Sequence, residues 1–254
     1  MTDNGTDGLQ FLRRPDKPAL AFYQRSGKGP GFFWLGGYAS DMTGTKAEFL
    51  NRFAMAQDRA FTRFDYRGHG QSEGRFEDGT IGLWAEDALA MLDQKTNGKQ
   101  ILIGSSMGAW IACLLARQRP ERLAGIILIA PAPDFTSALI PQQWAASRLA
   151  ELEQKGRVEI PSDYDNSVMV YTKDLFDDGK RQSILNAPFS VPCPVHILSG
   201  MKDEVVPWQH VMRLAEHIEA SHLSVHLEKD SDHRFSGEHE LALIGDAILR
   251  VNSE

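Results

Sequence analysis

The chain has 254 residues and a formal net charge of -7, a length at which a single domain buries roughly three quarters of the surface its unfolded form exposes. The acidic balance and the lack of any basic run argue against a nucleic-acid or anionic-membrane partner, because phosphate-rich surfaces need a concentrated basic face. No apolar stretch approaches the roughly 18 residues of a membrane span, and Met1 to Gly8 reads as a short flexible lead with neither a signal-peptide core nor transit-peptide arginines. Only Cys113 and Cys193 occur, neither placed as part of a disulfide framework, so a reducing cytoplasm is expected.

In chain order, apolar runs predict strands at residues 20–24 and 32–35, paired as an antiparallel hairpin at a sheet edge. A glycine loop, Gly36-Gly37-Tyr38, precedes a helix over 45–56 with Phe49, Leu50, Phe53 and Ala54 at helical spacing. A strand at 60–64 leads into Asp65-Tyr66-Arg67-Gly68-His69-Gly70-Gln71-Ser72. That string lacks the Lys-Ser/Thr pair and third glycine of a phosphate-binding loop and reads as a structural turn. From about Thr80 a helix carries Ile81, Trp84, Ala85, Ala88, Leu89 and Leu92 on one face. The strand Gln100-Ile101-Leu102-Ile103 and a buried helix around 109–116 follow, then Pro120 and a fully buried strand at 125–129. Further strands are predicted at 194–200 and 223–227, with a helix over 208–218 between them.

This alternation predicts an α/β fold with a mostly parallel central sheet and helices on both faces. Between Pro133 and Pro188 the alternation stops, and helix formers, acids and aromatics take over. Residues 1–133 and 188–254 are therefore read as two parts of one core, and 134–187 as an inserted helical cap. Helical spacing runs over 140–155, while Val158-Glu159-Ile160-Pro161 and Asp163-Tyr164-Asp165 suggest an irregular return. An insertion of that length at the sheet's active edge reads as a lid, since a structureless loop so long is implausible.

Gly104-Ser105-Ser106-Met107-Gly108 sits between a strand and a buried helix, the context of a nucleophile elbow rather than of an ordinary serine-capped turn. A serine hydroxyl is a poor nucleophile at neutral pH and needs a base and a group that orients the base. Asp203 follows the strand at 194–200, and His233 lies in the loop after the strand at 223–227, so both fall at the carboxyl edge where α/β sheets place their sites. Serine, acid, histidine is the chain order of an α/β-hydrolase triad. Glu204, Asp230 and Asp232 are rival acids, and Asp203 could also be an acid favouring the helix after it. The Gly36-Gly37-Tyr38 loop follows a strand where this fold sets an oxyanion amide, which makes the N–H groups of Tyr38 and Met107 the oxyanion donors. The remaining histidines have no tight ligand spacing, so neither a metal nor a cofactor is expected.

From about Pro30 onward the chain resembles α/β-hydrolase domain proteins, and more narrowly bacterial relatives of the mitochondrial branch known for protein depalmitoylation and acyl-glucuronide hydrolysis. The resemblance rests on Gly37-Tyr38 with Met42-Thr43-Gly44-Thr45-Lys46-Ala47, Phe64-Asp65-Tyr66, the elbow, Gly200-Met201-Lys202-Asp203 with Val206-Pro207-Trp208, and Ser231-Asp232-His233-Arg234. It implies Ser106, Asp203 and His233 as the triad and a thioesterase or carboxylesterase activity on a small ester, an acyl-thioester or an acylated protein. An acyltransferase or perhydrolase shares the first half-reaction, and a non-catalytic ligand-binding protein on the same fold is the alternative of another class. The N-terminus departs from the resemblance in lacking an import segment.

Overall fold

The computed structural model describes residues 8–161 and 168–251. Residues 1–7 of the expected lead over residues 1–8 and the Asp163-Tyr164-Asp165 segment lie outside that range. The described chain runs β1 (Gln10–Arg14), β2 (Lys17–Arg25), β3 (Lys28–Leu35), α1 (Thr45–Ala56), β4 (Arg59–Phe64), α2 (Ile81–Lys95), β5 (Gln100–Ser105), α3 (Met107–Gln118) and β6 (Leu123–Ile129). It continues with α4 (Ile140–Gln143), α5 (Ala146–Lys155), β7 (Arg157–Pro161), β8 (Val168–Thr172) and α6 (Lys173–Arg181). Last come β9 (Phe189–Val191), β10 (Val195–Gly200), α7 (Trp208–His217), β11 (Ile218–Ala220), β12 (Leu223–Glu228) and α8 (Glu238–Val251).

Eight strands form the main sheet in the order β1-β2-β4-β3-β5-β6-β10-β12. From β4 to β12 every neighbouring pair is parallel. Side chains alternate across this sheet and build two cores. Phe32, Trp34, Ile101, Ile103, Ile127 and Ile129 face α1 and α8, while Phe33, Leu35, Leu102, Ile126 and Leu128 join the cluster containing α2 and α3. Ten consecutive residues of α3, from Met107 to Ala116, are buried. Burial on all sides of that helix is what keeps the turn before it in place.

Several sequence expectations are corrected. The strands at 20–24 and 32–35 do not pair: β2 hairpins with β1 and lies antiparallel to β4, whereas β3 sits between β4 and β5. An uninterrupted apolar run such as Phe32-Phe33-Trp34-Leu35 marks a strand covered on both faces, which belongs in the sheet interior. The return segment at 158–161 is regular: it lies in β7, which pairs antiparallel with β8. The segment between Pro133 and Pro188 is thus mixed rather than purely helical, and the helical run over 140–155 is broken at Trp144, whose ψ of 143° is extended.

The 64–72 string is a structural turn, as read. Asp65 accepts backbone N–H bonds from Met42 at 2.7 Å and Gln71 at 2.8 Å, and Arg67 forks onto the buried Asp87. His69 is buried, accepts from the Ala39 N–H at 3.2 Å through Nε2, and is pushed by burial down to about 4 from 6.5. It is neutral at pH 7. The unfolded chain binds its proton first as pH falls, so the protein loses stability between the unfolded value and the folded one. Asp65, whose carboxyl burial pushes up to about 6, acts in the opposite sense over much of that range, so the difference between variants is the useful quantity. His69→Gln is expected to gain about 3 kcal/mol relative to the parent between pH 7 and pH 4. Denaturant melts of both proteins across that range check it, and a pH-independent difference would refute it.

Candidate active site

β5 ends in Ser105, and Ser106 turns the chain into α3 with φ 54° and ψ -117°, a conformation that L residues avoid. Neighbouring backbone holds it there. The Ser106 N–H donates to the Ile129 carbonyl at 2.9 Å, and its own carbonyl accepts from Ala109 at 3.1 Å and Ala132 at 3.2 Å. The flanking glycines are required by space: a Cβ on Gly108 would stand 2.0 Å from the Leu35 carbonyl oxygen, and one on Gly104 would stand 2.5 Å from the Gly108 carbonyl oxygen.

The structure brings all three sequence-selected side chains together. His233 Nε2 lies 3.1 Å from Ser106 Oγ, and its Nδ1 lies 2.7 Å from Asp203 Oδ2. An ionised carboxylate only accepts, so Nδ1 carries the proton and the Nε2 lone pair faces the serine hydroxyl. Asp203 is itself anchored, since its Oδ1 accepts the N–H groups of Val205 at 2.9 Å and Val206 at 2.7 Å. The rival acids point elsewhere. Asp230 pairs with Lys202 at 2.7 Å, Asp232 caps the Arg234 N–H at 2.9 Å, and Glu204 is exposed.

The oxyanion candidates also fall at the elbow. Met107 is the first residue of α3, where an N–H has no partner within the helix. The Gly37-Tyr38 turn lies against Ser106, because a Cβ on Gly37 would stand 3.5 Å from the Ser106 Cβ. That turn is closed by Ser40 donating to the Gly37 carbonyl at 3.2 Å and Ala39 donating to His69.

Sequence reasoning passed over Lys46. Its Nζ donates to the carbonyl of Arg234, the residue after His233, across 188 positions of sequence. Burial pushes the amine down to about 8, against the opposing pull of Asp232. A cation in the first turn of a helix stands at the unfavourable end of the dipole, and that misplacement was the available signal. One residue further on, Phe235 takes a φ of 44° with its ring fully buried. The chain just after His233 is thus held at two successive residues.

The segment between Pro133 and Pro188 meets this site at several points. Asp134 accepts N–H bonds from Ile184 at 3.0 Å and Leu185 at 3.3 Å, with the Ser183 hydroxyl as a further donor, so the segment's two ends are tied together at its base. Gln143 donates to the Val205 carbonyl in the Asp203 loop at 3.0 Å, and His210 Nε2 bonds the Pro133 carbonyl at 2.7 Å. The Tyr38 hydroxyl donates to the Val170 carbonyl in β8.

A parallel sheet with a strained serine turn at its carboxyl edge, facing a histidine and a buried acid, defines a class of enzyme, and comparison with known proteins agrees. A family model described as serine aminopeptidase, S33 (Hydrolase_4) matches residues 35–181. The chain belongs to the α/β-hydrolase family and is a hydrolase. It is similar to human mitochondrial palmitoyl-protein thioesterase ABHD10, with 37% identity over 93% of this chain and 77% of the relative. Among solved structures it is similar to a putative hydrolase from Agrobacterium vitis S4, with a TM-score of 0.91 and 39% identity over 96% of this chain and 98% of the other. Mouse alpha/beta hydrolase domain-containing protein 10 gives a TM-score of 0.90 and 35% identity, covering 97% of this chain and 98% of the other. Among the described residues, no helix is long and apolar enough to cross a membrane.

Because the elbow leaves no room beside Leu35, Gly108→Ala is expected to destabilise the fold by about 1–3 kcal/mol through overpacking. Chemical denaturation measures this, and an unchanged midpoint would show that the strand and helix can separate at no cost.

Proposed function

We propose that this chain is a serine thioesterase or carboxylesterase that works through an acyl-Ser106 intermediate, with residues 134–187 as a cap over the site. The observation that carries the reading is the continuous relay from Ser106 Oγ through His233 to Asp203, at 3.1 and 2.7 Å. The likeness to relatives named palmitoyl-protein thioesterase supports the thioester over other acyl derivatives. Two free, buried cysteines fit a reducing compartment, and we assign the protein to the cytoplasm on that ground.

In the first half-reaction Ser106 Oγ attacks the acyl carbonyl carbon while His233 Nε2 takes the hydroxyl proton. Asp203 holds the ring in its reactive tautomer and balances the imidazolium charge. The N–H groups of Tyr38 and Met107 stabilise the oxyanion. Collapse of the tetrahedral intermediate breaks the bond to sulfur or oxygen, and the leaving thiol or alcohol takes the proton from His233. Water then adds to the acyl-serine with His233 again as base, and the second collapse releases the carboxylic acid and restores the serine.

The cap supplies apolar surface on the acyl side. Phe135, Leu139, Ile140, Leu152, Leu175 and Phe176 belong to the buried cluster that includes α3, and Trp144, Tyr171 and Tyr38 pack against it partly buried. Each methylene buried by an acyl chain contributes about 0.8 kcal/mol, whereas the oxyanion donors meet the same carbonyl whatever the chain.

Ser106→Ala is expected to abolish labelling by a fluorophosphonate probe and to lower turnover by roughly a millionfold. Asp203→Asn is expected to cost about 10⁴ near neutral pH, with Asp232→Asn and Glu204→Gln close to the parent. Labelling of the Ser106 variant, or a larger loss at either rival acid, would overturn the assignment. Across nitrophenyl esters and acyl-thioesters from acetyl to palmitoyl, kcat/KM is expected to rise by roughly two- to fourfold per methylene until the pocket is filled. A strict preference for acetyl would remove the acyl-pocket reading.

A further inference from the structure

Tyr38 contributes to the molecule in two directions. Its backbone belongs to the turn against Ser106, and its side chain packs between Phe76 and Trp84 of the core, with ring centroids at 4.9 and 5.7 Å, and the 134–187 segment. The hydroxyl donates to the Val170 carbonyl, and the ring stacks on Tyr171 with centroids 5.2 Å apart and planes 15° from parallel. Phe135 meets the same ring edge-on at 5.8 Å. The contacts then continue within the segment: Tyr171 meets Trp144 at 5.2 Å, and Trp144 meets Phe176 at 5.8 Å. Burial, with Tyr171 adding to it, raises the Tyr38 phenol well above its ordinary range, so it remains a protonated donor at any working pH.

The backbone on either side of Tyr38 explains why this matters. Gly36 and Gly37 precede it without a side chain to anchor the turn, while Ala39 follows at a φ of 56° with its N–H on His69. The turn is therefore pinned after Tyr38 by a neutral histidine, and the Tyr38 side chain is held by Phe76 and Trp84 in the core and by β8 in the 134–187 segment. An amide can stabilise an oxyanion only when held within a few tenths of an ångström of its place. Side-chain anchoring of the same residue is the direct means of holding it.

We propose that Tyr38 is a positioning residue through which the seated cap sets the oxyanion amide, so that cap residues remote from the reacting carbonyl control the chemical step itself. The inference rests on the acyl-Ser106 reading and on the Tyr38 N–H as donor. It makes the cap more than the wall of an acyl pocket: the Tyr38 contacts with Val170 and Tyr171 would act on turnover even for a substrate too short to fill that pocket.

The test uses nitrophenyl acetate, whose acyl group is too short to need the apolar surface of the cap. Tyr38→Phe removes only the hydroxyl bond to Val170, Tyr171→Ala removes the stacked ring, and Tyr171→Phe keeps that ring. The first two are expected to lower kcat by roughly tenfold, a fraction of the 10² to 10³ lost when a whole oxyanion donor is deleted, with KM changed less than about twofold. Affinity for a trifluoromethyl ketone, which forms an oxyanion on adding to the serine, should fall by the same factor, and Tyr171→Phe should restore both values. A loss of fold alone would lower the active fraction without changing the ketone affinity of what remains, so the paired loss separates positioning from instability. Wild-type kcat and ketone affinity in both Tyr38→Phe and Tyr171→Ala, or a loss confined to KM, would overturn the proposal. Endpoint fluorophosphonate labelling is run in parallel: failure to label the parent protein at Ser106 would instead overturn the reading on which the proposal rests.

Discussion

The backbone strain at Ser106 is the constraint on which the rest of the molecule depends. Holding a non-glycine residue at φ 54° costs of order 1–3 kcal/mol, and nothing local to the turn offsets it. The compensation comes from the layers around it: a fully parallel strand on either side of β5, a helix buried from Met107 to Ala116, and backbone bonds to Ile129, Ala109 and Ala132. The same packing that forces the strain points the hydroxyl out of the sheet edge. Close contact of α3 with the end of β3 leaves space only for glycine at position 108, so the site and the core share one set of contacts.

Around that turn the histidine and the acid are fixed by elements that do no chemistry. Lys46 and Phe235 hold the chain just after His233, and the amides of Val205 and Val206 hold Asp203. These supports are spread over α1, the loop after β10 and the loop after β12. Each supporting contact therefore depends on the sheet order being correct. The likeness to the mouse and Agrobacterium structures extends over nearly the whole of each chain, as expected where the site is distributed across the fold.

Much of this was legible in the residues. The positions of Ser106, Asp203 and His233, each just beyond an apolar strand, followed from alternation and chain order. Helix α1 falls on the predicted residues, because Phe49, Leu50, Phe53 and Ala54 repeat at helical spacing. β1 was not legible: Gln10-Phe11-Leu12-Arg13-Arg14 carries little apolar signal and forms only as an edge strand against β2. The pairing of β7 with β8 was likewise hidden: Arg157-Val158-Glu159-Ile160-Pro161 ends in a proline that reads as a breaker, and the apolar run Val168-Met169-Val170-Tyr171 gives no sign of its partner. The contact from Lys46 to Arg234 spans 188 residues, and its one local hint is a cation in the first turn of α1, which says nothing of the partner.

The amino-acid sequence by itself determined which side chains could form the site, because nucleophile, acid and base each need a particular chemistry and the strand-to-loop grammar places all three at one sheet edge. Tertiary structure decided which acid meets the histidine. Asp203, Glu204, Asp230 and Asp232 are equivalent by type and nearly so by position, and only the packing of β10 against β12 buries one of them 2.7 Å from the imidazole while turning the others toward solvent or lysine. It also decided where β3 lies and that Tyr38 meets β8. Both depend on contacts between segments far apart in the chain, whose geometry is set by close packing and not by the identity of any single residue.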